Sequence, residues 1–71
     1  MNTLKNLKNI SIALITLGFD FSKTNNSYFV GSLQITVSKE YDSVLFLNNG
    51  KDLETSNISL KEAKELIKEF I

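Results

Sequence analysis

Cysteine and histidine are both missing from this 71-residue chain, and the two absences together remove most of the chemistry that small proteins carry. Without thiols, no disulfide framework or thiolate metal site supplements a hydrophobic core. Without imidazole, serine has no ordinary base partner and the usual zinc constellations cannot be assembled. Glycine is scarce as well, and its three isolated residues make no phosphate-cradling loop. Net charge is zero, eight lysines against eight carboxylates, so no overall field draws the chain to nucleic acid or to an acidic membrane. Long apolar runs are absent too, because the stretch from Ile10 to Phe19 is too short to span a bilayer. Lys5 and Lys8 precede that stretch in the manner of a secretory leader. Asp20-Phe21-Ser22-Lys23 follows it without a small-residue cleavage site, which points to a cytoplasmic protein. Arginine, proline and tryptophan are missing as well, and with abundant Ile, Asn and Lys the bias is that of a low-GC coding sequence.

What is present suffices for one core. Apolar residues make up 42% of the chain, with five Phe and two Tyr, and the ordinary hydrophobicity argues against disorder. Residues 1–71 read as a single small domain, which at this length buries about 60% of its unfolded surface. The clearest element is 59–71. Ser59 and Glu62 have the spacing of a capping box, in which each side chain bonds a backbone N–H that the first helical turn leaves unpaired. Leu60, Ala63, Leu66, Ile67, Phe70 and Ile71 then share one helical face, with lysines and glutamates on the other.

Residues 3–17 predict a second helix, capped by Asn2 or Thr3, ended by Gly18 and striped by Leu4, Leu7, Ile10, Leu14 and Leu17. Residues 22–27 read as a polar loop, and 28–37 as one long strand with a bulge or close approach at Gly31. A four-residue turn at 39–42 leads into a strand over 43–47, and Asn49-Gly50 is a strong hairpin signal leading to a third strand over 51–55. The two turns independently pair Val37 with Val44, Ile35 with Phe46, and Phe46 with Leu53, all on one face. The expected fold is therefore α+β in the order α-β-β-β-α, a three-stranded antiparallel meander with two helices packed on one face.

No catalytic constellation emerges, and no motif requires a cofactor or a metal. Asp52 and Glu54 face the same way on a strand but sit on its solvated side, so they read as solubility residues rather than an acid–base pair. Two apolar surfaces exceed the needs of the core. One is Ile12, Ile15 and Phe19 on the first helix, a candidate dimer face. The other follows from the register: Leu45 and Leu47 point outward, and in the long-strand reading Tyr28 and Val30 join them, rimmed by acidic side chains.

Ser59-Leu60-Lys61-Glu62-Ala63-Lys64 resembles the Ser-Lys-Lys-x-Ala-Lys that opens the last helix of double-stranded-RNA-binding domains, whose α-β-β-β-α order is also similar. That resemblance implies phosphate contacts from Lys61 and Lys64, although Leu60 stands where the first lysine belongs. The neutral charge and the Asp52/Glu54 rim argue against nucleic acid as the partner. The expected function is a non-enzymatic module that binds a larger protein or protein complex through Glu40, Asp42, Leu45, Leu47, Asp52, Glu54, Tyr28 and Val30. Size and composition suggest a phage or mobile-element inhibitor of a host defence system, of the anti-CRISPR type. A homodimeric accessory subunit using the first helix, and an RNA-binding domain, are the alternatives.

Overall fold

A computed structural model describes residues 2–71. Its elements run α1 (Thr3–Leu17), β1 (Ser22–Thr24), β2 (Ser27–Val30), β3 (Leu33–Ser38), β4 (Ser43–Asn48), β5 (Lys51–Thr55) and α2 (Leu60–Phe70). The strands form one antiparallel sheet in the order β1-β2-β3-β4-β5, and both helices lie on the same face of it. Two helices flanking an antiparallel meander is the expected α+β arrangement, with five strands in place of the expected three.

The two additional strands come from hairpins in the region read as a polar loop and one long strand. Gly31 has φ of +60° and Ser32 does not share the positive value, the pattern of a type II′ turn with glycine first. The chain therefore folds back at Gly31-Ser32 and pairs Val30 with Leu33 and Tyr28 with Ile35. Asn25, at φ +52°, opens a second tight turn that pairs Thr24 with Ser27. A four-residue arm is too short to stand alone, yet β2 is held on both sides, by β1 and by β3. Ladder bonds on two edges supply what its length does not.

From β3 onward the pairing is the one expected. Val37 pairs with Val44, Ile35 with Phe46, and Phe46 with Leu53. Asn49 at φ +51° and Gly50 at φ +83° form the type I′ turn between β4 and β5.

α1 ends as expected, with Gly18 left-handed and the N–H groups of Gly18 and Phe19 bonded back to Ile15 and Leu14. Its start differs. Asn2 makes no side-chain cap; instead Asp42, in the β3–β4 turn, accepts the Asn2 N–H at 2.9 Å. The expected stripe is rotated too. Asn6, Ile10, Ala13 and Leu14 are the buried positions of α1, while Leu4 is 82% exposed. α2 has both halves of its capping box, Ser59 Oγ accepting from the Glu62 N–H at 3.1 Å and Glu62 Oε1 from the Ser59 N–H at 3.3 Å. Its other end is fastened by Asn48, whose Nδ2 donates to the Phe70 carbonyl at 2.7 Å while Ser32 donates to Asn48 Oδ1 at 2.8 Å.

The core lies between helices and sheet: Ile10, Ala13 and Leu14 from α1, Ala63, Ile67 and Phe70 from α2, and Tyr28, Ile35, Val37, Val44 and Phe46 from the strands. Tyr28 is its largest fully buried side chain, and its hydroxyl is satisfied. It donates to the Leu7 carbonyl at 2.8 Å, so Ser11 Oγ, 2.7 Å away, must be the donor in their shared bond. Burial pushes the Tyr28 phenol above its ordinary pKa, partly offset by the Ser11 bond. A raised folded-state value means stability that is complete below the unfolded phenol's pKa, about 10, and lost as pH rises through the higher folded value. Urea midpoints followed above that pH should fall more steeply for the parent chain than for Tyr28→Phe. Equal slopes would show that the folded chain accommodates the ionised phenol as well as water does.

Candidate protein-binding surface

Because both helices cover one face of the sheet, the alternate side chains of every strand point to a face that no other element covers among the described residues. The register assembles them in rows. Ser22, Phe29, Gln34, Leu47 and Asp52 lie side by side across the sheet, and Thr24, Ser27, Thr36, Leu45 and Glu54 form the row beside them. Phe29 is 38% exposed, and Leu45 and Leu47 are half-buried by their polar neighbours. Some of those neighbours are fixed to one another. Ser27 and Thr36 hydroxyls meet at 3.1 Å, Gln34 Nε2 donates to Thr36 Oγ1 at 3.2 Å, and Ser43 donates to Glu54 Oε2 at 2.9 Å. Leu45 and Leu47 thus form an apolar strip along β4, separated from Phe29 by Gln34, with a hydroxyl- and amide-rich surround and carboxylates at the β5 side.

Of the residues expected to make this surface, Leu45, Leu47, Asp52 and Glu54 lie on it together. Tyr28 and Val30 do not: both are buried on the helix side, with Phe29 outward between them. The correction follows from the two-residue turn. A continuous strand would keep Phe29 and Leu33 on one face, but a hairpin at Gly31-Ser32 pairs Val30 with Leu33 and so exchanges the faces of β2. Phe29 is the aromatic residue that the long-strand reading assigned to the core.

The acidic residues do not form one cluster. Glu40 is exposed in the β3–β4 turn, and Asp42 turns back to the start of α1. Asp52 and Glu54 remain on the outer sheet face, Glu54 held by Ser43.

The candidate dimer face on α1 is also redistributed. Phe19 packs against the core, drawn in by the left-handed turn at Gly18. Ile15 is 68% exposed and Ile12 half-buried, and the helical period brings exposed Leu4 and Lys8 onto the same side as these two.

Among the described residues, no group of three or more His, Cys, Asp or Glu side chains is placed to hold a metal ion. No helix among them is long and apolar enough to cross a membrane. The chain matches no family model, and neither the curated proteins nor the solved structures compared with it include a match.

Proposed function

We propose that this chain is a non-enzymatic protein-binding module whose contact surface is the uncovered face of its sheet. The observation that carries the reading is the Leu45–Leu47 strip, with Phe29 across Gln34 from it, held in register on the face opposite both helices. Aromatic and aliphatic anchors with a polar, partly charged surround have the composition of a small interface rather than of a base-stacking platform. A nucleic-acid surface would set basic residues beside its aromatics, whereas here Asp52 and Glu54 border the strip. Those carboxylates favour a partner with a basic rim. The narrower reading, an inhibitor of a host defence complex encoded by a phage or mobile element, draws on chain size and compositional bias. Its natural target would be a basic groove that ordinarily holds nucleic acid.

Paired affinity captures test this. The parent chain and a Phe29→Ser, Leu47→Ser double variant, both confirmed folded by circular dichroism, serve as baits in an extract of the native host. A protein held by the parent and lost from the variant is the expected result, and the inhibitor reading requires it to be a nucleic-acid-binding component. Identical profiles for the two baits would remove the outer sheet face from consideration.

A further inference from the structure

A second surface, independent of the outer face, is built where the sheet ends. β5 is an edge strand: it pairs with β4 on one side and, among the described residues, with no strand on the other. α2 packs above β4 and stops short of covering β5, so Leu53 is 40% exposed although it shares a row with buried Phe46 and Ile35. The gap is a groove of about 480 Å³, lined by Leu53, Glu54 and Thr55 on one side and by Glu62, Glu65, Leu66 and Glu69 on the other. Leu53 and Leu66 are its apolar lining, and Glu62, Glu65 and Glu69 bring carboxylates from α2, while the Glu54 carboxylate is held by Ser43 on the outer face.

The sequence of α2 explains the asymmetry of charge. Glu62, Glu65 and Glu69, spaced by three and four residues, fall on one side of the helix with Leu66, and that side lines the groove. Lys61, Lys64 and Lys68 are absent from the lining. Like charges at these spacings repel, and Lys51 meets them only at the end, 3.9 Å from Glu69.

The edge itself offers a template. In a two-residue hairpin the pair flanking the turn exchanges both ladder bonds, and pairs further along alternate. Lys51 pairs with Asn48 and Leu53 with Phe46, so the N–H and C=O groups of Asp52 and Glu54 point away from β4 to the open edge. Self-pairing is opposed there, because two β5 edges side by side would bring Asp52 and Glu54 of one copy against those of the other. A strand of opposite charge meets no such obstacle.

We propose that the β5–α2 groove binds an extended, lysine- or arginine-rich peptide segment of a partner protein as a sixth strand of the sheet. The added strand bonds the main chain of Asp52 and Glu54. Its side chains on the groove side lay their aliphatic stems on Leu53 and Leu66 and carry cationic heads to Glu62, Glu65 and Glu69.

The test uses the full chain and, as probe, an acetylated and amidated peptide of alternating lysine and valine, read by two-dimensional NMR and amide hydrogen exchange. Expected are shifts confined to 51–55 and to the groove side of α2, slowed exchange of the Asp52 and Glu54 amides, and about tenfold weaker binding in high salt. The double variant Glu65→Lys, Glu69→Lys, which leaves the capping box intact, should weaken binding by at least about tenfold. A glutamate–valine peptide should not bind. The same lysine–valine peptide methylated at every backbone nitrogen should lose binding, because strand addition needs its N–H donors. Equal binding by the methylated peptide would reduce the contact to charge attraction and overturn strand addition. Shifts centred on Phe29 and Leu47, or no binding at millimolar peptide, would overturn the site.

Discussion

Tyr28→Ala is expected to remove about 3–5 kcal/mol of stability, whereas Phe29→Ala, one residue along, is expected to change it by less than about 1 kcal/mol. The two side chains are similar in size and adjacent in sequence, so the contrast isolates which face of β2 looks into the core. Tyr28 is fully buried, pairs with Ile35, and stacks at a tilt on Phe21 with ring centroids 5.7 Å apart. Truncation leaves a ring-sized void beside α1 and strips Ser11 of its hydroxyl partner. Phe29 loses only cross-strand contact with Ser22 and Gln34 on the open face. A chain of this length holds about 4–10 kcal/mol in all, so the loss at Tyr28 is about a third or more of the total and should lower the urea midpoint sharply. Urea denaturation followed by circular dichroism reads both. The reverse order of losses would restore the long strand and place Phe29 in the core.

That contrast also marks where sequence reasoning stopped. α1, the β3–β4–β5 register and the capping box were legible because each rests on a signal within a few residues: a left-handed glycine, Asn-Gly, Ser-x-x-Glu. Gly31-Ser32 carried a local signal of the same grade, glycine at the first position of a II′ turn. Against a turn there stands the shortness of β2, which is a liability only for an isolated hairpin. β1 removes the liability, and β1 is unreadable in sequence, since Ser22-Lys23-Thr24 has no apolar residue and all three are exposed. Its pairing is imposed by the Asn25 turn and by the strand beside it. The consequence for the surface is one of parity alone. Leu45 and Leu47 lie on the outer face as the β3–β4 register requires, whereas the long-strand reading exchanges Tyr28 and Val30 with Phe29. The β5–α2 groove escaped sequence reading for a different reason. The glutamate side of α2 could be read from its period, but its position beside an uncovered Leu53 depends on where α2 stops across the sheet.

Helix packing brings the remaining large effect. Asn6→Ala is expected to cost about 2–4 kcal/mol, as much as loss of a medium-sized core residue. Asn6 sits in the first part of α1, at a position where the apolar stripe calls for a hydrophobe, and it is 1% exposed. Its Oδ1 accepts the buried N–H of Ile58 at 3.1 Å. One turn on, Asn9 Nδ2 donates to the Ile58 carbonyl at 2.9 Å. The two asparagines thereby bond both polar groups of one residue in the segment that launches α2, while the Ile58 side chain enters the core. No secondary structure supplies partners for that backbone, so these side chains do. Asn6 Nδ2 is buried with no hydrogen-bond partner among the described residues, so the Ile58 bond is the one hydrogen bond its side-chain amide makes there. Asn6→Leu separates bonding from packing. It keeps most of the volume but leaves the Ile58 N–H unpaired, and should lose nearly as much as the alanine variant. Asn9→Ala, at a half-exposed position where water can replace the amide, should lose about 1 kcal/mol. Because both asparagines hold the same residue, the double alanine variant should lose measurably less than the two single losses combined. Exchange of the Ile58 amide proton is the local readout, expected to accelerate in both Asn6 variants by more than global destabilisation accounts for. If Asn6→Leu were as stable as the parent, the position would be held by packing alone and the clamp on Ile58 would carry no energy.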